Sequence, residues 1–367
     1  MEHSLPSHHR ALVLDDRRSG FELKTIPTPS PDPGSAVVQI SAAGILPYHH
    51  QVLRHYPIPT PLVGGFSAIG RVVATGPDAV ALQPGTFVYV DCVIRARDDP
   101  DSLFLSAIIE GFTDGSKKLM RDVWRNGTFA EYSKVPLENC IPLNEARLNT
   151  ELGYSIPSLM YMAFLMVPYG GLRDINVQPG ETIIVCPATG GYSSAGVLVA
   201  VAMGARVIAM ARNTEKLALL VEHVKRVLPN ASIATAQITG DEAKDATTLR
   251  EFGPADAVLD LTPHAASSSS HTRSAIKALR RGGRVSLMGS TEGIGAPEIM
   301  MNDITLKGKM MYDRLDILSF VKMLECGLFP QGENFAKTAV FSLEQWKEGL
   351  DAAENRSGIG QCTVFVP

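Results

Sequence analysis

Apolar positions in the first 150 residues come as short runs separated by Gly and Pro, at 11–14, 36–40, 70–74, 86–90 and 129–135. Such runs predict strands, and their even spacing predicts a small barrel-like β domain. Pro27, Pro29, Pro31 and Pro33 punctuate the first connection, and 98–118 reads as a longer excursion. The texture changes near Leu152. From Gln178 onward, apolar strands at 182–187, 206–211, 257–261 and 284–289 alternate with helical stretches at 193–203, 214–228 and 270–280. This alternation predicts an α/β unit, a doubly wound parallel sheet with helices on both faces. Farther on, Leu315, Leu318, Val321 and Leu324 recur at helical spacing. A helix at 343–353 and a last strand at 361–366 follow, and the tail is expected to complete the first domain.

Length and composition narrow the class. At 367 residues the chain suits two domains, and 45% apolar with 20% charged residues is a globular balance. A net charge of -4 without a basic run argues against nucleic acid as a partner. The longest apolar stretches, 159–167 and 195–205, fall short of the roughly 18 residues that span a bilayer, so no membrane partner is expected. Cys92, Cys140, Cys186, Cys326 and Cys362 form an odd set with no C-x-x-C spacing. Reduced thiols and an N-terminus without a secretory pattern predict a cytoplasmic protein.

The segment Thr182-Ile-Ile-Val-Cys-Pro-Ala-Thr-Gly-Gly-Tyr-Ser-Ser-Ala-Gly-Val-Leu runs from an apolar strand through a tight turn into a small-residue helix. That is the context of a dinucleotide phosphate loop, in which helix N-terminal N–H groups and the helix dipole hold a pyrophosphate. Thr189, Gly190, Gly191, Tyr192 and Ser193 are the candidate contacts. Of the three fingerprint glycines only the middle one, Gly190, is present, with Ala188 and Ser193 at the other two positions. At the end of the next strand, where NAD sites carry an acid for the ribose 2′-hydroxyl, stands Ala211, followed by Arg212 and then Lys216. Two cations in place of an acid favour the 2′-phosphate of NADPH. The bland alternative is a solvated start to a surface helix. Asp260-Leu261-Thr262 and Gly289-Ser290 end parallel strands and so point into the crevice where a nicotinamide would sit. Their backbone groups are candidates to hold the carboxamide, with Thr262, Gly289 and Ser290 as the named contacts, and the alternative is strand-end loops without ligand contact.

With these residues in view, the chain resembles the medium-chain dehydrogenase/reductase superfamily, in particular its zinc-independent quinone oxidoreductase-like branch. The likeness rests on His9-Arg10-Ala11-Leu12-Val13-Leu14, Pro33-Gly34, Ala42-Ala43-Gly44-Ile45, Pro61-Leu-Val-Gly-Gly-Phe-Ser-Ala-Ile-Gly-Arg-Val-Val-Ala-Thr-Gly and Gly127-Thr-Phe-Ala-Glu-Tyr. Pro179-Gly-Glu-Thr, the phosphate loop, Leu279-Arg-Arg-Gly-Gly-Arg-Val and Gly289 follow in the family's order. The resemblance implies a GroES-like catalytic domain at 1–155, a Rossmann NADPH-binding domain at 156–315 and a C-terminal return at 316–367. It also implies a cofactor in the cleft between domains and a homodimer formed through the Rossmann edge, with 304–312 as the candidate interface strand.

Zinc-dependent members of that family carry Cys where this chain has Leu46, and a His-Glu pair where it has Gly65-Phe66. None of these side chains donates an electron pair to zinc, and the cysteines of the structural zinc lobe are missing too, so no metal is expected. Hydride transfer then needs an electrophilic carbon and stabilisation of the enolate or phenolate that develops, which suits enones and quinones. Tyr56, in Arg54-His55-Tyr56-Pro57, is similar in place to the proposed proton-donor tyrosine of enoyl-thioester reductases. His49 stands where many relatives have Asp, and both residues are the candidate catalytic groups, each with a bland reading as a packed ring. Trp124, Phe66 and 160–166 are candidates to line a pocket for a small-molecule substrate. An NADPH-dependent reductase of a conjugated carbonyl or quinone is the leading expectation. An alcohol or carbonyl oxidoreductase and a non-catalytic NADPH-binding protein are the alternatives.

Overall fold

Strand Ser35–Gly44 is buried at nearly every position because Ala, Val and Ile dominate it, and it takes partners on both sides. It pairs antiparallel with Ala68–Thr75, with Tyr132–Pro136 and, from the far end of the chain, with Gln361–Phe365. The register shifts between Ile40 and Ala42, opposite Gly70. A Cβ on Gly70 would stand 2.4 Å from the Gln39 carbonyl oxygen, so only glycine permits this close approach. Among residues 5–367, which the computed structural model describes, the chain divides into two units.

The first unit runs to Tyr161 and resumes at Phe335–Ser357 and Gln361–Pro367. Its sheets are antiparallel except for Lys337–Phe341, which runs parallel to Gln361–Phe365. A second, three-stranded sheet sets His8–Leu14 between Phe21–Pro27 and Leu62–Val63. Phe21–Pro27, expected as connection, is a strand whose alternating polar residues leave it half exposed, and Pro27 ends it. The excursion at 98–118 holds strand Leu103–Leu105, paired with Val93–Arg95, and helix Asp114–Lys118, capped by Thr113. Leu12, Phe129, Val88 and Phe365 belong to one shared apolar core, so the C-terminal strand packs within this unit.

The second unit carries one parallel sheet in the order Ile233–Gln237, Arg206–Ala211, Thr182–Cys186, Ala255–Asp260, Leu279–Leu287, Thr305–Gly308. The order reverses beside Thr182–Cys186, which is the doubly wound arrangement with its crevice outside the carboxyl ends of the central strands. The helix expected at 270–280 ends at Lys277, because the chain turns back into the sheet at Leu279. Residues 280–283 bulge there, with Gly282 at φ +73, before the ladder resumes at Arg284. Strand Ile233–Gln237 and helix Glu242–Glu251 escape the apolar pattern because the strand is short, of mixed residues and half exposed, and the helix is mostly polar. The edge strand expected at 304–312 covers Thr305–Gly308. Helix Arg314–Glu325 packs on Met162–Asp174 in this unit, so the return to the first unit starts at Phe335 rather than at residue 316. No helix among the described residues is long and apolar enough to cross a membrane.

Candidate functional site

The phosphate-loop segment folds as strand Thr182–Cys186, a short turn, and helix Gly191–Ala202 with Gly190 as its N-cap. No side chain caps this helix, so its first N–H groups are left for another acceptor. Around a Cβ on Gly190 only Ser193 Oγ would come within 4 Å, at 3.4 Å, so the glycine leaves open space on the loop. Ala188 is fully buried and donates its N–H to Met210 O at 2.7 Å, which explains a small apolar residue where the fingerprint has glycine. The close helix-to-sheet approach falls at Gly196, where a Cβ would meet Leu259 Cδ2 at 3.0 Å, instead of at Ser193. Tyr192 lies on the Phe164 ring at 5.1 Å, and Thr189 and Gly191 complete the turn.

Arg212 follows strand Arg206–Ala211 directly, and Lys216 sits in the first turn of helix Thr214–Val227, positioned by the Asn213 side chain, which accepts the Lys216 N–H at 2.8 Å. Both side chains are exposed, and among the described residues neither pairs with a carboxylate. Two exposed cations beside a strand end without an acid make this corner electropositive, an arrangement able to take an anionic group.

The ends of the neighbouring strands hold a polar network that residue-by-residue reading missed. Asp260, fully buried, accepts at Oδ1 from the Thr262 hydroxyl at 2.5 Å and the Thr272 hydroxyl at 2.8 Å. Thr262 Oγ1 also lies 2.8 Å from His271 Nε2, and His271 Nδ1 lies 2.7 Å from Ser269 Oγ. Since the Thr262 proton goes to Asp260, His271 donates from Nε2 and accepts at Nδ1. Burial raises the Asp260 carboxyl above its ordinary value, opposed by the Thr262 and Thr272 hydroxyls and nearby N–H groups. Burial, then the charges of Arg212 and Arg273, lowers His271 to about 4. Gly289 abuts Thr262, where a Cβ would stand 2.2 Å from the Thr262 nitrogen, and Ser290 N–H donates to Thr262 O at 2.8 Å. The available signal was a strand-end Asp followed by Thr262 and by the run Ser267–His271, which reads as a plain loop and helix start.

In the first unit, helix His49–His55 separates the two candidate catalytic groups, with His49 at its first position and Tyr56 at its C-cap. His49 is buried between Phe21 at 5.5 Å and Phe129 at 5.8 Å, and its Nε2 has no hydrogen-bond partner. Burial, helped by the neighbouring His50, lowers it to about 3. The His49 ring is thus packed among aromatic side chains, with no polar partner at Nε2 to orient it. Tyr56 is half-buried, and its carbonyl accepts from Arg17 Nη2.

The residues at the positions of the zinc ligands do not fit a metal. Leu46 and Phe66 are buried, and a Cβ on Gly44 would meet Met160 Cε at 2.8 Å and Phe66 at 3.2 Å, so apolar atoms fill this region. Among the described residues no three His, Cys, Asp or Glu side chains converge as a ligand group. Trp124 lines a cavity of about 570 Å³ with His9, Ile26 and Tyr132, and neither Phe66 nor Met160 joins it. The expected substrate-pocket grouping is therefore not made there.

Comparison with known proteins adds a family context. A model described as the alcohol dehydrogenase GroES-like domain matches residues 32–145, and one described as zinc-binding dehydrogenase matches 192–326. Alcohol dehydrogenase 1 of Caenorhabditis elegans is 27% identical over 337 residues, covering 88% of this chain and 89% of the relative. Acryloyl-coenzyme A reductase of Sulfurisphaera tokodaii is 21% identical over 364 residues, covering 97% and 99%. The structure of a thermostable alcohol dehydrogenase from Pyrobaculum aerophilum with cobalt and zinc bound superposes with a TM-score of 0.73 at 20% identity, covering 98% of this chain and all of that one, which supports the fold.

Proposed function

Given that the chain belongs to the medium-chain dehydrogenase/reductase superfamily, a family of nicotinamide-dependent oxidoreductases, we propose that it is an NADPH-dependent, zinc-independent reductase of a conjugated carbonyl or quinone. The observation that carries the reading is the pair Arg212 and Lys216, unpaired and exposed beside the acid-free end of strand Arg206–Ala211. Bound NADPH supplies the hydride. The chain's own residues hold it: the open N-terminus at Gly190 and Gly191 takes the pyrophosphate, and Arg212 with Lys216 takes the 2′-phosphate. Backbone groups of Thr262, Gly289 and Ser290 take the carboxamide. Leu46 and Phe66 bring no zinc donors, so polarisation of an isolated ketone by a metal is replaced by delocalisation within the substrate. Tyr56 is the donor that protonates the resulting enolate or phenolate, while His49 packs the barrel core.

A second reading, an alcohol or carbonyl oxidoreductase, is favoured by the nearly full-length likeness to the nematode alcohol dehydrogenase. Cytoplasmic location and a homodimer through the edge strand Thr305–Gly308, next to the exposed Met300, Met301 and Met310, belong to the same proposal. The deciding experiment measures NADPH and NADH binding to metal-analysed protein, then turnover on enones, quinones and simple ketones. Arg212→Ala is expected to weaken NADPH at least tenfold and leave NADH unchanged. Tyr56→Phe is expected to slow enone turnover about a hundredfold. A zinc content near one per chain, or selective turnover of simple alcohols, refutes the leading reading. NADPH binding without oxidation by any of these substrates favours a non-catalytic binding protein.

A further inference from the structure

Asp260 is a costly residue to keep at its position. It ends the strand that opens the second half of the sheet, is fully buried, and leaves Oδ2 without a hydrogen-bond partner. A buried carboxylate of this kind seldom stabilises a fold better than an apolar side chain of similar size would. Its burial also keeps it out of contact with any ligand. What it does is hold Thr262. The Thr262 hydroxyl is fixed from one side by Asp260 Oδ1 and from the other by His271 Nε2. Thr272 braces the same carboxylate oxygen, and Ser269 braces the imidazole. Thr262 in turn sets the next strand end, because its backbone presses on Gly289 and its carbonyl accepts from Ser290. In a doubly wound sheet each half binds one mononucleotide, and this half lies opposite the one carrying the phosphate loop and Arg212.

Resting on the cofactor reading above, we propose that Asp260 is a positioning residue for the nicotinamide half of the dinucleotide, acting through the Thr262 hydroxyl to lock the loops at Thr262 and Gly289. Fixing these loops before the cofactor arrives removes an ordering cost from binding. The clamp touches only one half of the site, and this makes it separable from a general effect on the fold.

The test compares NADPH with adenosine 2′,5′-bisphosphate, which has the adenosine and 2′-phosphate but no nicotinamide, by calorimetric titration of the full-length protein. Variants are Asp260→Asn, Thr262→Val and Thr262→Ser. Asp260→Asn and Thr262→Val are expected to weaken NADPH about tenfold and leave the bisphosphate unchanged. Thr262→Ser, which keeps the hydroxyl, should bind both as wild type does. Thr262→Val has nearly the shape of the native residue and covers the case in which Asp260→Asn fails to fold. Equal weakening of both ligands would mean that the network only supports the sheet, and unchanged NADPH affinity would remove any role in binding; either outcome overturns the proposal. Wild-type protein that binds neither ligand refutes the cofactor reading itself, and this inference with it.

Discussion

Two of the buried histidines, His49 in the first unit and His271 in the second, are packed in opposite ways. His49 lies between two phenylalanine rings with Nε2 unpartnered, while His271 has both ring nitrogens paired, to Thr262 and Ser269. Burial holds both below the ordinary histidine value, His49 at about 3 and His271 at about 4. Only the second is held in one orientation and one tautomer by polar partners. The lesson is that burial makes a histidine neutral, whereas a satisfied network gives the neutral ring a task.

The largest effect is expected where the networked region has no slack. Gly289→Ala sets a Cβ against the Thr262 backbone at 2.2 Å, and backbone cannot yield as a side-chain end can. We expect a loss of about 3 kcal/mol in the stability of the parallel-sheet unit, read from urea denaturation. Next, His271→Phe removes the partner of Thr262 and Ser269 and should cost about 2 kcal/mol, whereas loss of a mere packing ring would be neutral.

The pH response tests both rings. Each histidine binds its proton more weakly in the folded chain than in the unfolded one, where the value is near 6.5. The unfolded state therefore takes up protons first as pH falls, and stability drops by at most about 1.4 kcal/mol per pH unit for each ring. The loss runs from pH 6.5 to about 4 for His271, set by burial with Arg212 and Arg273 against Asp245. For His49, set by burial with His50, it continues to about 3. Stability that stays flat from pH 6.5 to 4.5 contradicts this. The smallest effect has the opposite sign: His49→Phe removes an unpartnered buried nitrogen from an aromatic site and should stabilise the first unit by about 1 kcal/mol. A loss of stability in that variant would show that Nε2 has a partner after all.

Much of the fold was legible because apolar periodicity reports burial directly. The barrel strands around Ser35–Gly44 and the central strands Thr182–Cys186, Arg206–Ala211 and Ala255–Asp260 all follow it. Phe21–Pro27 and Ile233–Gln237 were not legible, since half-exposed strands mix polar and apolar positions and take their order from neighbours. At the candidate site, the strand-turn-helix of the loop and the place of Arg212 and Lys216 after the next strand could be read, because near-neighbour spacing along the chain sets their position. His49 could not be assessed this way, because its chemistry depends on Phe21 and Phe129, which are 28 and 80 residues away.

The sequence by itself determined the α/β class, the missing zinc donors and the cationic residues that follow the second strand of the parallel sheet. These depend on residue type and near-neighbour spacing, which do not change on folding. Only the tertiary structure decided that Asp260, Thr262, His271 and Ser269 form one network and that His49 is a core ring. Burial and hydrogen-bond partnership are properties of the packed environment, and residues distant in sequence supply that environment.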